Sequence, residues 1–90
     1  MPPYRFQMAT YFIDYDLRNS RDYQKLYDEL EKFDAVRVLE SQWAFKRDET
    51  STAELRDHFK QFIDSDDGLS IIKSAGWAPL NADKTPKDLD

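Results

Sequence analysis

The sequence predicts an α+β domain of the ferredoxin-like, split βαβ kind, with two helices on one face of a four-stranded antiparallel sheet. Three observations lead there. "ATYFIDYD" alternates bulky apolar with polar residues, as a half-buried strand does. Tyr23, Leu26, Tyr27, Leu30 and Phe33 recur at helical spacing and form one apolar face. "STAE", residues 51–54, has the form of a capping box and opens a second helix. Around these, the periodic segments run strand, helix, strand, strand, helix, strand.

In chain order, residues 1–8 read as an appendage, with two prolines and no period. Residues 9–16 are the first strand. Asn19-Ser20 supplies a break and an N-cap, and Asp22 falls where the helix dipole favours negative charge. The first helix follows over residues 21–33, closed by Asp34. Val36, Val38 and Leu39 form a short second strand. "SQWAFKR" forms a third, with Trp43 and Phe45 on one face. The break at Glu40-Ser41 lacks Gly and Pro, which favours a bend or bulge over a tight two-residue hairpin. Leu55, Phe59, Phe62 and Ile63 make the stripe of the second helix, residues 64–68 turn, and "LSIIKS" is the fourth strand. "GWAPL" extends that strand or forms a short edge segment. Residues 81–90 read as a disordered polar tail, which leaves residues 9–80 as the domain.

This topology puts the first and third strands at the centre and leaves one sheet face bare. If Tyr11, Ile13 and Tyr15 face the helices, then Thr10, Phe12, Asp14 and Asp16 face outward. Phe12 on an open face points to a partner there, and a second copy of the chain is the simplest, giving a homodimer. Trp77, beyond the last clear strand, also needs cover.

Composition narrows the function. The chain has no cysteine, which excludes disulfides and thiolate metal sites and suits a reducing cytoplasm. No apolar run approaches a membrane span, and no signal pattern opens the chain. The net charge of −5 argues against loose, charge-driven nucleic-acid binding. Residues 1–47 hold eight basic and eight acidic side chains and residues 48–90 hold five and ten, so the acidic excess lies wholly in the second half.

Asp14 and Asp16 form the sharpest motif. Two apart on a strand, they share a face, and carboxylate oxygens suit a hard cation, Mg²⁺ or Mn²⁺, whose bound water could attack phosphate. One pair is too few ligands for a tight site, although a two-fold axis would double it. The plain alternative is two solvated carboxylates at a strand end, with Asp16 helping to cap the turn. Arg18 and Arg21 could hold phosphate or be solvated turn residues. His58, the single histidine, reads as a helix-border residue, because no Ser-His-Asp or zinc spacing accompanies it. "DSDDG", residues 64–68, fails the EF-hand spacing: Ala75 stands where the bidentate glutamate is required. Tyr23, Tyr27, Trp43 and Phe45 could stack on bases but read as core.

A first strand ending in "YDL" before an amphipathic helix resembles the small CRISPR-associated "Cas two" family of the spacer-acquisition complex and its VapD-type relatives. "RVLESQWAF" is similar to that family's second and third strands, and "LRDHFKQFIDSDDGLSII" to its second helix, acidic turn and last strand. The resemblance covers roughly residues 9–77 and implies a ferredoxin-like homodimer. It also implies an aspartate at the end of the first strand, here Asp16, that in members with nuclease activity binds a divalent metal near the dimer axis. Ser41-Gln42-Trp43-Ala44 departs from the family's polar patch, and the acidic second half is unlike a DNA scaffold. Both departures point to a divergent stand-alone member. The functional expectation is a small dimeric, non-catalytic scaffold or regulator with a protein or nucleic-acid partner. The alternative is a metal-dependent endonuclease of RNA or DNA, toxin-like or CRISPR-associated, using Asp16.

Overall fold

The structure, a computed structural model, describes residues 8–18, 23–48 and 50–89. Its elements are β1 (Met8–Asp16), α1 (Gln24–Lys32), β2 (Val36–Leu39), β3 (Gln42–Asp48), α2 (Thr52–Phe59) and β4 (Gly68–Lys73). Two short 3-10 turns, Lys60–Phe62 and Pro86–Asp88, follow α2 and β4 respectively. Met8, assigned to the appendage from sequence, is the first residue of β1. The expected N-cap at Asn19-Ser20, Asp22, Arg21 and residues 1–7 lie outside the described residues.

The four strands form one antiparallel sheet in the order β2-β3-β1-β4, which puts the first and third strands at the centre as the split βαβ topology requires. The alternation in β1 resolves as read. Tyr11, Ile13 and Tyr15 are buried toward the helices with Leu26, Leu30, Trp43, Phe45, Leu55 and Phe59. Phe12 belongs to the opposite face, with Val38 and Ala44. Tyr11 lies opposite Phe45 and Ile13 opposite Trp43 across β1 and β3, so the aromatic positions of two strands reinforce one layer.

Each helix has a legible stop or start. At the end of α1, the Asp34 amide donates to the Glu31 carbonyl and the Ala35 amide to the Leu30 carbonyl, at 2.9 and 3.0 Å. With Asp34 at φ 57, this is a Schellman closure built on aspartate rather than glycine. Ser51 opens α2, its Oγ accepting from the Ala53 and Glu54 amides. The reciprocal half of the box is replaced, because Glu54 accepts from the Thr50 hydroxyl at 2.9 Å. The α-helix ends at Phe59, so Phe62 and Ile63 reach the same core from a 3-10 turn and the chain after it, not from α2 itself.

Two further details correct the sequence reading. The β2–β3 link is a two-residue one, Glu40-Ser41, and neither residue has a positive φ. The irregularity sits one step earlier, as a register shift between Arg37 and Leu39. Beyond β4, "GWAPL" forms no strand. The chain turns at Asn81, where φ is 56, and crosses the bare sheet face, with the Asp83 amide bonded to the Val38 carbonyl at 2.9 Å. Pro86 and Leu89 are buried there and Leu89 joins Phe12, Val38 and Ala44. Where the sequence reads a disordered tail, the structure shows a packed strap.

Candidate functional site

The carboxylates at the end of β1 differ in setting. Asp14, half-buried, stands in register between Gln42 of β3 and Ser70 of β4, a polar row on the open face. Asp16 lies opposite Gly68 with its side chain 71 % exposed, and its Oδ2 accepts from Arg18 Nε at 3.1 Å. Arg18 does more than pair with Asp16. Its backbone amide donates to Asp67 Oδ1 at 2.6 Å and its Nη1 to the Asp66 carbonyl at 2.9 Å. Asp67 Oδ2 in turn accepts from the Asp64 amide at 2.9 Å. The "DSDDG" turn is therefore organised around Arg18 and its own aspartate. A Cβ at Gly68 would come within 3.0 Å of Arg18 Nη2, so the glycine makes room for the guanidinium.

Chemically, this corner exposes Asp64 and Asp66 of the turn beside Asp16, whose carboxylate is accessible and already paired with a cation. An exposed pair of this kind adds little to stability, at most about 1 kcal/mol, and a divalent ion would compete with the guanidinium for Asp16. Among the described residues, no group of three or more His, Asp or Glu side chains converges as a metal-ligand set. Arg21, the other expected phosphate contact, lies outside them.

His58 is at the border of the core, as read from its spacing. Its Nε2 lies 2.6 Å from Glu29 Oε2, tying α2 to α1, and the rings of Phe33, Phe59 and Phe62 surround it. Glu29 also has Lys32 Nζ at 3.9 Å. Sequence reasoning missed Glu29. The available signal was that the chain's one histidine, beside an apolar stripe, needs a polar partner.

Of the four aromatics weighed as stacking platforms, Trp43 and Phe45 are buried, Tyr27 is half-buried and Tyr23 is exposed, its ring meeting Tyr27 edge-on at 6.1 Å. Arg37 lies 4.9 Å from the Tyr27 ring centre and 5.8 Å from that of Trp43. It donates to the Tyr27 hydroxyl at 3.0 Å and to the Glu40 carbonyl at 2.6 Å. The chain's own cation therefore lies against two of the faces a base would use. Beneath it, the Tyr15 hydroxyl donates to the Glu40 carbonyl and accepts from Trp43 Nε1, both at 3.0 Å. Burial, and then the neighbouring Tyr27 hydroxyl, push the Tyr15 pKa up to about 12.

Several exposed apolar side chains gather on the opposite side of the sheet. A groove of about 380 Å³ is lined by Phe12, Leu39, Ile72, Trp77, Leu80 and Pro86 among others, with no charged residue in its lining. Leu39, Ile72, Trp77 and Leu80 are 44, 45, 39 and 81 % exposed. Phe12 and Trp77 were legible as residues wanting cover. Leu39, Ile72 and Leu80 were not, because only the fold brings a hairpin end, an edge strand and the "GWAPL" segment together. No helix among the described residues is long and apolar enough to cross a membrane. The chain matches no protein-family model and no solved structure.

Proposed function

We propose that this protein is a non-catalytic docking module, a scaffold or regulator of the Cas-two-like kind its sequence resembles, working as a homodimer through the groove on the open sheet face. The observation that carries this reading is the exposed apolar set Leu39, Ile72, Trp77 and Leu80 around one hollow. Exposed apolar side chains gathered in one place mark interaction surfaces. The occupant argued for is a second copy. On a chain of net charge −5, a groove without charged lining lets two copies meet without opposing their acidic residues. The same negative charge disfavours nucleic acid as the occupant.

Light scattering on the parent chain and on the double variant Ile72→Ser/Trp77→Ser tests this. The parent should show twice the chain mass at about 100 μM and the variant the chain mass, and because both side chains are exposed the variant should keep its fold. A parent that stays at single-chain mass at high concentration ends the reading.

The exposed Asp16 carboxylate, one pleat from Asp14, favours a second reading: a Mg²⁺- or Mn²⁺-dependent nuclease with Asp16 as ligand, Asp14 assisting and Arg18 on phosphate. Calorimetric titration with either ion, alongside cleavage assays on RNA and DNA, compares the parent with Asp16→Asn. The substitution keeps the shape of the side chain and removes the charge a hard cation needs. The expected result is weak metal binding by the parent, lost in the variant, and no cleavage by either. Cleavage by the parent that disappears in Asp16→Asn would install the nuclease reading in place of the first.

A further inference from the structure

The strap across the open sheet face is built as a ligand is built. Thr85 Oγ1 accepts from the Lys87 amide at 3.2 Å, and Asp88 Oδ2 accepts from the Thr85 amide at 2.9 Å. This complete capping box, with proline at the first position, gives the turn Pro86–Asp88 its shape from its own residues. The turn presents Pro86 and Leu89 inward, both buried, and leaves Lys84, Lys87 and Asp88 exposed. Beneath Leu89 are Phe12, Val38 and fully buried Ala44, with Val36 and Ala82 packed alongside. Among the described residues, one backbone hydrogen bond joins the segment to the sheet, from the Asp83 amide to the Val38 carbonyl.

That is a short attachment. Two apolar anchors and one backbone bond must offset the entropy of ordering about eight residues, and these opposing contributions are similar in size. When such a segment lifts, it leaves an apolar seat with the Val38 carbonyl at its rim. The chemistry the seat accepts is displayed by what fills it: a polar segment with proline at the head of a one-turn 3-10 helix and leucine three residues on.

We infer that the seat formed by Phe12, Val38 and Ala44 is a recognition site for a Pro-x-x-Leu turn of a partner protein, and that the chain's own Pro86 and Leu89 fill it in cis as a displaceable strap. The inference does not rest on the dimer reading, although the seat shares Phe12 and Val38, and the strap its Pro86, with the groove proposed for the second copy.

The probe is a fluorescein-labelled peptide with the sequence of residues 82–89, Ala-Asp-Lys-Thr-Pro-Lys-Asp-Leu, followed by anisotropy. It is titrated with the parent and with the full-length double variant Pro86→Ser/Leu89→Ser, whose own strap no longer fits. A tethered segment competes at an effective concentration in the millimolar range, so the variant should bind at least about tenfold more tightly than the parent. A control peptide with serine at both anchor positions should bind neither protein. Equal binding to both, or none to a folded variant, overturns the inference. Should the variant fail to fold, the parent alone decides the matter. Excess peptide, to about 10 mM, should speed hydrogen exchange of the Asp83 amide as the strap lifts, and an unchanged rate overturns the inference equally. Because seat and groove share Phe12 and Val38, light scattering at the titration concentrations reports association separately from peptide binding, so failure of the dimer reading and failure of this one are distinguishable.

Discussion

Phe45→Ala is expected to lower the free energy of unfolding by about 3–5 kcal/mol, the range for truncating a buried aromatic ring to a methyl group. Phe45 is fully buried in the central strand β3. Its ring is held on three sides: Tyr11 of β1 stacks at 5.7 Å, Phe33 meets it edge-on at 5.2 Å and Phe59 of α2 lies at 5.8 Å. It therefore joins the sheet, the end of α1 and α2 at one point. The cavity left behind would be walled by packed rings and two central strands held in register by ladder hydrogen bonds, which relax only in part, so the cost should fall in the upper part of the range. A domain of this size has roughly 5–15 kcal/mol in total, so the variant should be much less stable and, at the low end, largely unfolded. Urea denaturation followed by circular dichroism measures it. Leu80→Ala, at the most exposed large apolar side chain among the described residues, serves as the comparison and, at a concentration that keeps the chain monomeric, should change stability by less than about 0.5 kcal/mol. A loss below about 1 kcal/mol for Phe45→Ala would mean that the core is centred elsewhere.

How much of this was legible in the chain depends on the reach of each interaction. The alternation in β1 is local, and it assigned Tyr11, Ile13 and Tyr15 to one layer and Phe12 to the other. The serine cap at Ser51 is local too, and the structure keeps it. The role of Arg18 was hidden because its partners Asp66 and Asp67 are 48 and 49 positions away. Sequence offered a phosphate contact, and the fold adds bonds from the same guanidinium to Asp16 and to the Asp66 carbonyl of the acidic turn. Glu29 was hidden in the same way, 29 positions from His58. The strap escaped notice for another reason. Periodicity detects stripes, and among the described residues 81–89 only Pro86 and Leu89 are buried, which leaves no period to find. Part of what was read as bare sheet is covered by the chain itself, and the exposed apolar side chains are Leu39, Ile72, Trp77 and Leu80.

Tyr15→Phe should destabilise the protein by about 1–3 kcal/mol at neutral pH, the cost of leaving a buried polar group without its partner. The loss is larger than one ordinary hydrogen bond because the substitution strands a second group. Trp43 is buried, and its Nε1–H donates to the Tyr15 hydroxyl at 3.0 Å. The Glu40 carbonyl loses the same partner but keeps two donor contacts from Arg37. The unsatisfied indole should therefore dominate. The pH dependence carries a second signature. The folded protein holds the Tyr15 proton up to a pKa of about 12, against an ordinary value of 10.0. Between those values the unfolded chain releases that proton while the folded chain keeps it, so unfolding sheds a proton and stability falls as pH rises. Tyr15's contribution is fully present below pH 10, declines through the window from 10 to 12, and has been lost above it. The informative quantity is the difference between parent and variant. Chemical denaturation at intervals from pH 8 to pH 12 should show Tyr15→Phe as the less stable protein at pH 8, with the gap narrowing as the parent loses its Tyr15 contribution. A gap that stays constant to pH 12 would show that Tyr15 titrates alike in the folded and unfolded chains, and that its hydroxyl is not sealed under Arg37 and Tyr27 as the packing requires.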